Sequence, residues 1–132
     1  MNDTRYARHT IAVIEDESHT RAIIRGLLRQ LGVRSIVEAA DGSVGLKEVI
    51  RSRPSVVLCD IHMEPVDGLT FVFNLRHFAV PAIARIPVIM LTADAQRETV
   101  EAARDSQING YIVKPVSLAM MKQRLDKVLG FT

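Results

Sequence analysis

The chain has no tryptophan, a single cysteine, and only two tyrosines and four phenylalanines among its 132 residues. So few rings, and the lack of a glycine-rich phosphate loop, argue against a flavodoxin-like cofactor carrier or small enzyme. Cys59 can form no internal disulfide and cannot alone define a structural zinc site, which fits a reducing compartment; it reads as a small buried hydrophobe. No apolar run is long enough to span a bilayer. The polar segment 1–10, with Asp3, Arg5 and Arg8, is not followed by the apolar core of a secretory signal. A cytoplasmic location without membrane association is the default expectation. Charge of one sign is not in excess either: the formal net charge is +2, and Lys and Arg are spread along the chain without interleaved aromatics, so direct DNA binding is not expected. Repeats, low-complexity tracts and linkers are missing too. What is there is 48% hydrophobic and 24% charged residues, the balance of a globular protein, in a length that suits one domain over residues 1–132.

Residues 11–14 form a short apolar run followed by Glu15, Asp16, Glu17 and Ser18, which reads as a buried strand opening into an acidic loop. From Ser18 a helix is expected: Thr20, Ile23, Ile24, Leu27, Leu28 and Leu31 recur at helical spacing, and Gly32 stands where a left-handed cap belongs. Residues 35–39 predict a second strand, Asp41-Gly42 a turn, and 44–51 a helix with Leu46, Val49 and Ile50 that Pro54 ends. Residues 56–59 are apolar on both faces, as a central parallel strand requires. After Asp60, a loop with Pro65 and Gly68 leads to an apolar-rich helix through Leu69, Val72, Phe73 and Leu75. Residues 77–85 are less regular, with Pro81 arguing for a loop and 79–84 able to hold one helical turn. A fourth strand is expected at 86–91, with Pro87 near its start, where a missing amide donor is tolerated. Thr92 and Asp94 open a helix through Val100 and Ala103. A fifth strand at 110–113 precedes a last helix striped by Leu118, Met121, Leu125, Val128 and Leu129 and ended by Gly130.

Strands alternating with helices predict a parallel sheet covered on both faces, in which ligands bind outside the carboxyl ends of the strands. The residues there are Glu15 and Asp16, then Asp60, Thr92 and Lys114. Singly, an Asp after a strand is more often a cap or turn residue. Jointly, three neighbouring carboxylates repel unless a cation sits among them, and such hard oxygen ligands suit magnesium. A metal so placed can offset charge while a phosphoryl group transfers to Asp60, with Lys114 and Thr92 contacting the other phosphoryl oxygens.

The segments Ile-Glu-Asp at 14–16, Cys-Asp-Ile-His-Met at 59–63, Val-Asp-Gly-Leu at 66–69, Leu-Thr-Ala at 91–93 and Gly-Tyr-Ile-Val-Lys-Pro at 110–115 resemble the receiver domain of two-component response regulators, particularly the stand-alone chemotaxis type. The resemblance covers about residues 10–129. It implies an α/β fold of the flavodoxin-like (βα)5 kind, a doubly wound sandwich with strand order 2-1-3-4-5, and no output domain. It implies that Asp60 is the phosphoacceptor; that Glu15, Asp16, Asp60 and the His62 backbone carbonyl hold Mg2+, with Mn2+ as a substitute; that Thr92 and Lys114 complete the catalytic set; and that Lys114-Pro115 is cis, X-Pro being the bond that reaches cis cheaply. Two residues depart from the pattern. Glu64 stands where the family usually has proline, with Pro65 next, so the loop backbone is expected to differ slightly. Val116 replaces a common phenylalanine, which thins the packing under the last helix.

The resemblance also implies a switch: Thr92 moves toward the phosphoryl group and Tyr111 follows, changing the face made by the helix opened at Asp94, the fifth strand and the last helix. The bland reading of Tyr111 is a half-buried strand aromatic. His62 and Asp94 are expected at the pocket mouth, tuning phosphoryl lifetime. Arg21, Arg25 and Arg29 recur every four residues on the first helix; beyond a solvated face, Arg21 and Arg25 are candidates for docking the phosphodonor. The expected partners are a histidine kinase or histidine phosphotransfer protein and a downstream protein target, the expected state a monomer or phosphorylation-dependent dimer, and the expected chemistry self-phosphorylation and slow hydrolysis without an external substrate. The alternative is a scaffold with the same fold that works without phosphorylation; intact Asp60, Thr92 and Lys114 argue against it.

Overall fold

The computed structural model describes residues 4–93 and 107–131. Its strands β1 (Thr10–Ile14), β2 (Ser35–Ala39), β3 (Val56–Asp60), β4 (Val88–Thr92) and β5 (Gly110–Val113) form one parallel sheet in the order β2-β1-β3-β4-β5. The helices are α1 (Ser18–Leu31), α2 (Gly42–Ser52), α3 (Gly68–Arg76), a single turn α4 (Pro81–Ala84) and α5 (Leu118–Leu129). The helix expected to open at Asp94 lies outside the described residues. No helix among the described residues is long and apolar enough to cross a membrane.

Successive side chains of a strand point to opposite faces, and the core divides accordingly. Cys59, Val57, Ile14 and Met90 pack with Phe71, Val72 and Leu75 of α3 and Val49 of α2, whereas Leu58, Val13, Ile89 and Ile112 pack with Ile24 and Leu28 of α1 and Met121 and Leu125 of α5. Every position of β3 and β4 is buried, as the unbroken apolar runs of central parallel strands require. Tyr6, outside the span 10–129, is fully buried in the second of these layers. Its hydroxyl donates to the Asp126 carboxylate, which also pairs with Lys122 Nζ at 2.7 Å.

Several boundaries differ from expectation for local reasons. α2 begins at Gly42 because Asp41 caps it, Oδ1 accepting from the Ser43 and Val44 amides at 2.7 and 3.1 Å. β4 begins only at Val88, since the Ile86 amide still donates to Ile83 O at 3.1 Å and Pro87 has no amide to give. Gly32 ends α1 at φ 106°, the left-handed region that favours glycine. Phe73, placed by the sequence in the apolar run of α3, is 60% exposed and stacks on His77 with centroids 4.2 Å apart. Lys114-Pro115 is cis as expected; Glu64-Pro65 is cis as well.

Candidate functional site

The strand ends carry the site because the parallel register brings them together. β1 ends at Ile14, so Glu15 and Asp16 follow it; β3 ends on Asp60 and β4 on Thr92. The Lys114 amide donates to Thr92 O at 2.7 Å, which fixes the start of the loop after β5 against the end of β4. α3 reaches this edge only because its first residue is glycine. A β-carbon on Gly68 would stand 2.1 Å from the Asp60 carbonyl oxygen, while the Gly68 amide donates to Ile61 O at 2.8 Å.

One oxygen from each of Glu15, Asp16 and Asp60 lies within 4.8 Å of the others. Glu15 is fully buried, Asp60 is 5% exposed and Thr92 is fully buried; Asp16 faces solvent. Lys114 Nζ donates to Glu15 Oε1 at 2.5 Å and lies 3.5 Å from Asp60 Oδ2. Glu15 Oε2 is buried with no hydrogen-bond partner among the described residues. Lys114 therefore meets two of the three carboxylates, and among the described residues a buried carboxylate oxygen is left without a donor. Hard oxygen donors arranged so fit a divalent cation.

The electrostatics express the same deficit. Burial, then the neighbouring Asp60 carboxyl, push the Glu15 carboxyl up to about 7, against the lowering influence of Lys114. For Lys114, burial opposes the charge, but the hydrogen bond to Glu15 and the charges of Asp60 and Glu15 outweigh it and raise its pKa. The Cys59 thiol is pushed well up by burial, with the Asp60 charge adding to it, and its Sγ donates to Asp60 O at 3.3 Å; it is packing, without nucleophilic character.

The other residues singled out by sequence fall as follows. His62 is exposed and, with Met63, Glu64, Pro65 and Asp67, borders an open depression of about 630 Å³ that shares Asp16 with the acidic cluster. Tyr111 is half-buried against the layer beneath α2 and α3, and its carbonyl accepts from Arg124 Nε at 3.0 Å. Val116 is half-buried against the other layer. Asp94 lies outside the described residues. The arginines of α1 do not form one free stripe. Arg25 Nη1 donates to both oxygens of Glu38 at 2.9 and 3.0 Å; Arg21 Nε lies 3.3 Å from Glu38 and Arg21 Nη1 donates to the Glu15 carbonyl at 2.6 Å; Arg29 is exposed. The sequence pattern marks neither Glu38 nor Gly68 as part of the site. Gly68 could have been marked, since a glycine opening a helix beside a functional strand end signals close backbone approach.

Residues 11–126 match the response regulator receiver domain. Among similar proteins, chemotaxis protein CheY-3 of Vibrio cholerae is 36% identical over 118 residues, 89% of each chain, and chemotaxis protein CheY of Pseudomonas aeruginosa is 31% identical over 89% of this chain and 94% of its own. Among solved structures, the receiver domain of a sensor histidine kinase from Pseudomonas aeruginosa PAO1, with a magnesium ion coordinated in its active-site cleft, aligns at TM-score 0.84 and 29% identity over 94% of this chain and 99% of that one. Chemotaxis response regulator CheY4 of Vibrio cholerae superposes at TM-score 0.83 with 23% identity over 92% and 99% of the two chains, a likeness of fold alone.

Proposed function

The chain belongs to the response regulator receiver family, and we propose from that premise that it is a single-domain regulator that accepts a phosphoryl group on Asp60 from a histidine kinase or histidine phosphotransfer protein. Receiver domains are generally signalling modules, with no external substrate to transform. The observation that carries the reading is the meeting of Glu15, Asp16, Asp60 and Lys114 at one edge of the sheet.

In the proposed reaction an Asp60 carboxylate oxygen attacks the donor phosphorus, the bond from phosphorus to the donor atom breaks, and its electron pair leaves with the donor. Lys114, already 3.5 Å from Asp60, holds a phosphoryl oxygen by charge, and Thr92, buried at the end of β4, donates its hydroxyl to another. Glu15, Asp16, Asp60 and the His62 carbonyl would hold a magnesium ion, with manganese as substitute, and that ion would offset the charge that develops during transfer. The buried oxygen of Glu15, which lacks a donor among the described residues, is the feature of this chain that such an ion would satisfy.

Phosphorylation adds nearly two negative charges to one side chain. Thr92 is proposed to turn toward them and Tyr111 to follow, altering the face around β5 and α5 that a downstream protein reads; the other proposed output is onward transfer of the phosphoryl group from Asp60 in a phosphorelay. His62 and Asp94 are proposed to tune hydrolysis, and the basic residues of α1, Arg21 and Arg25 among them, to border the donor. Incubation with magnesium and acetyl phosphate followed by intact-mass measurement tests the reading: a gain of one phosphoryl group is expected, absent with chelator and in Asp60→Ala. No gain in the wild type would favour the phosphorylation-independent scaffold.

A further inference from the structure

We infer that Arg21 is a positioning residue for the metal-binding loop, holding the Glu15 peptide in place through its guanidinium while Glu38 anchors that guanidinium to the sheet; the inference rests on the receiver reading above.

Arg21 is the fourth residue of α1, at the helix end where the backbone dipole is positive, and α1 has no acidic residue in its first turn. The helix dipole disfavours a cation there unless something else engages it. Two groups do. The Glu15 carbonyl accepts from Nη1 at 2.6 Å, and Glu38 lies 3.3 Å from Nε. The side chain is only 21% exposed, so both interactions are shielded from solvent.

The geometry closes a loop around Glu15. Its amide donates to Ala39 O of β2 at 3.0 Å, and its carbonyl is held from the opposite side by α1. Glu38 sits on β2 opposite Val13 of β1, adjacent to that Ala39, and is also gripped by Arg25 through both oxygens. The peptide that carries one proposed metal ligand and immediately precedes another, Asp16, is therefore pinned by a strand and by a helix. Without Arg21 the carbonyl is free to turn, and both carboxylates lose their common orientation. Partners of this outer kind typically contribute ten- to a hundredfold to metal affinity or activity.

This role separates from donor docking. A docking residue affects transfer from a protein donor; a residue that orients the acidic loop affects magnesium affinity with no donor present. The experiment is a magnesium titration by isothermal calorimetry on wild type, Arg21→Ala, Arg21→Lys and Glu38→Gln, with urea unfolding of each, and phosphorylation by acetyl phosphate across magnesium concentrations. Arg51→Ala, which breaks an exposed pair with Glu48 on α2, is the control for charge removal. The expected result is a magnesium affinity about tenfold or more weaker in Arg21→Ala, a smaller loss in the same direction in Arg21→Lys and Glu38→Gln, and a phosphorylation rate that recovers when magnesium is raised to saturation. If Arg21→Ala fails to fold, the Arg21→Lys and Glu38→Gln affinities decide. Variants that are less stable yet bind magnesium as the wild type does would overturn the inference and leave Arg21 a structural ion pair. A wild type that binds no magnesium would overturn the receiver reading itself, and the inference with it.

Discussion

The Glu15 carboxyl shows how burial and a neighbouring carboxyl shape a single residue. Burial and the neighbouring Asp60 raise it from 4.5 to about 7. Folded, it holds a proton that the unfolded chain has already lost between those two values. Its contribution to stability is thus complete below pH 4.5 and is lost as pH rises through 7. Lys114, raised from 10.5, titrates outside this window. A cation that favours the ionised carboxylates opposes the loss. Urea unfolding in chelator is therefore expected to show stability falling from pH 5 to 7.5, with the stabilisation by magnesium growing over the same range; a flat profile in chelator would contradict this picture of the pocket. Glu15, Asp16, Asp60, Thr92 and Lys114 were legible in the sequence because each follows directly on a strand run, and strand ends of a parallel sheet share one edge. The link between Arg21, Glu38 and Glu15 was not, because spacing along α1 shows a stripe but not which strand residue it meets.

At the scale of elements, periodicity placed β2, β5, α1 and α5 well, since each carries a clear apolar pattern and α1 and α5 end on a left-handed glycine. It placed the start of α2 and of β4 less well, because a side-chain cap at Asp41 and a turn around Ile83 override composition. Phe73 is exposed because α3 offers more apolar side chains than its packed face takes up. The junction between β3 and α3 is the tightest of these contacts. Gly68→Ala would drive a methyl group into the Asp60 carbonyl oxygen, and overpacking of that kind costs about 1–3 kcal/mol or more. The expected outcome is a lower urea midpoint together with slower phosphorylation, because the displaced backbone carries Asp60; an unchanged midpoint would mean that α3 is free to slide away from the strand end.

For the molecule as a whole, the sheet order makes the chemistry local and its readout distributed. The central strands β1, β3 and β4 deliver the acidic residues and Thr92, while β5 and α5 lie beside them with Tyr111 and Lys114. The segment before β1 is tied to α5 through the buried Tyr6 hydroxyl and Asp126, and Arg5 lies 4.7 Å over the Phe131 ring, so the two ends of the described fold brace one another. None of that brace was legible in the sequence, since a tyrosine in a polar segment carries no pattern. The central claim is that Asp60 becomes an acyl phosphate. Its most direct measurement is to phosphorylate the protein, trap it with borohydride, which reduces an aspartyl phosphate to homoserine, and map the product by peptide mass. Homoserine at position 60, formed only with magnesium and a phosphodonor, is the result predicted; homoserine at Asp16 instead, or at no position, would contradict the account.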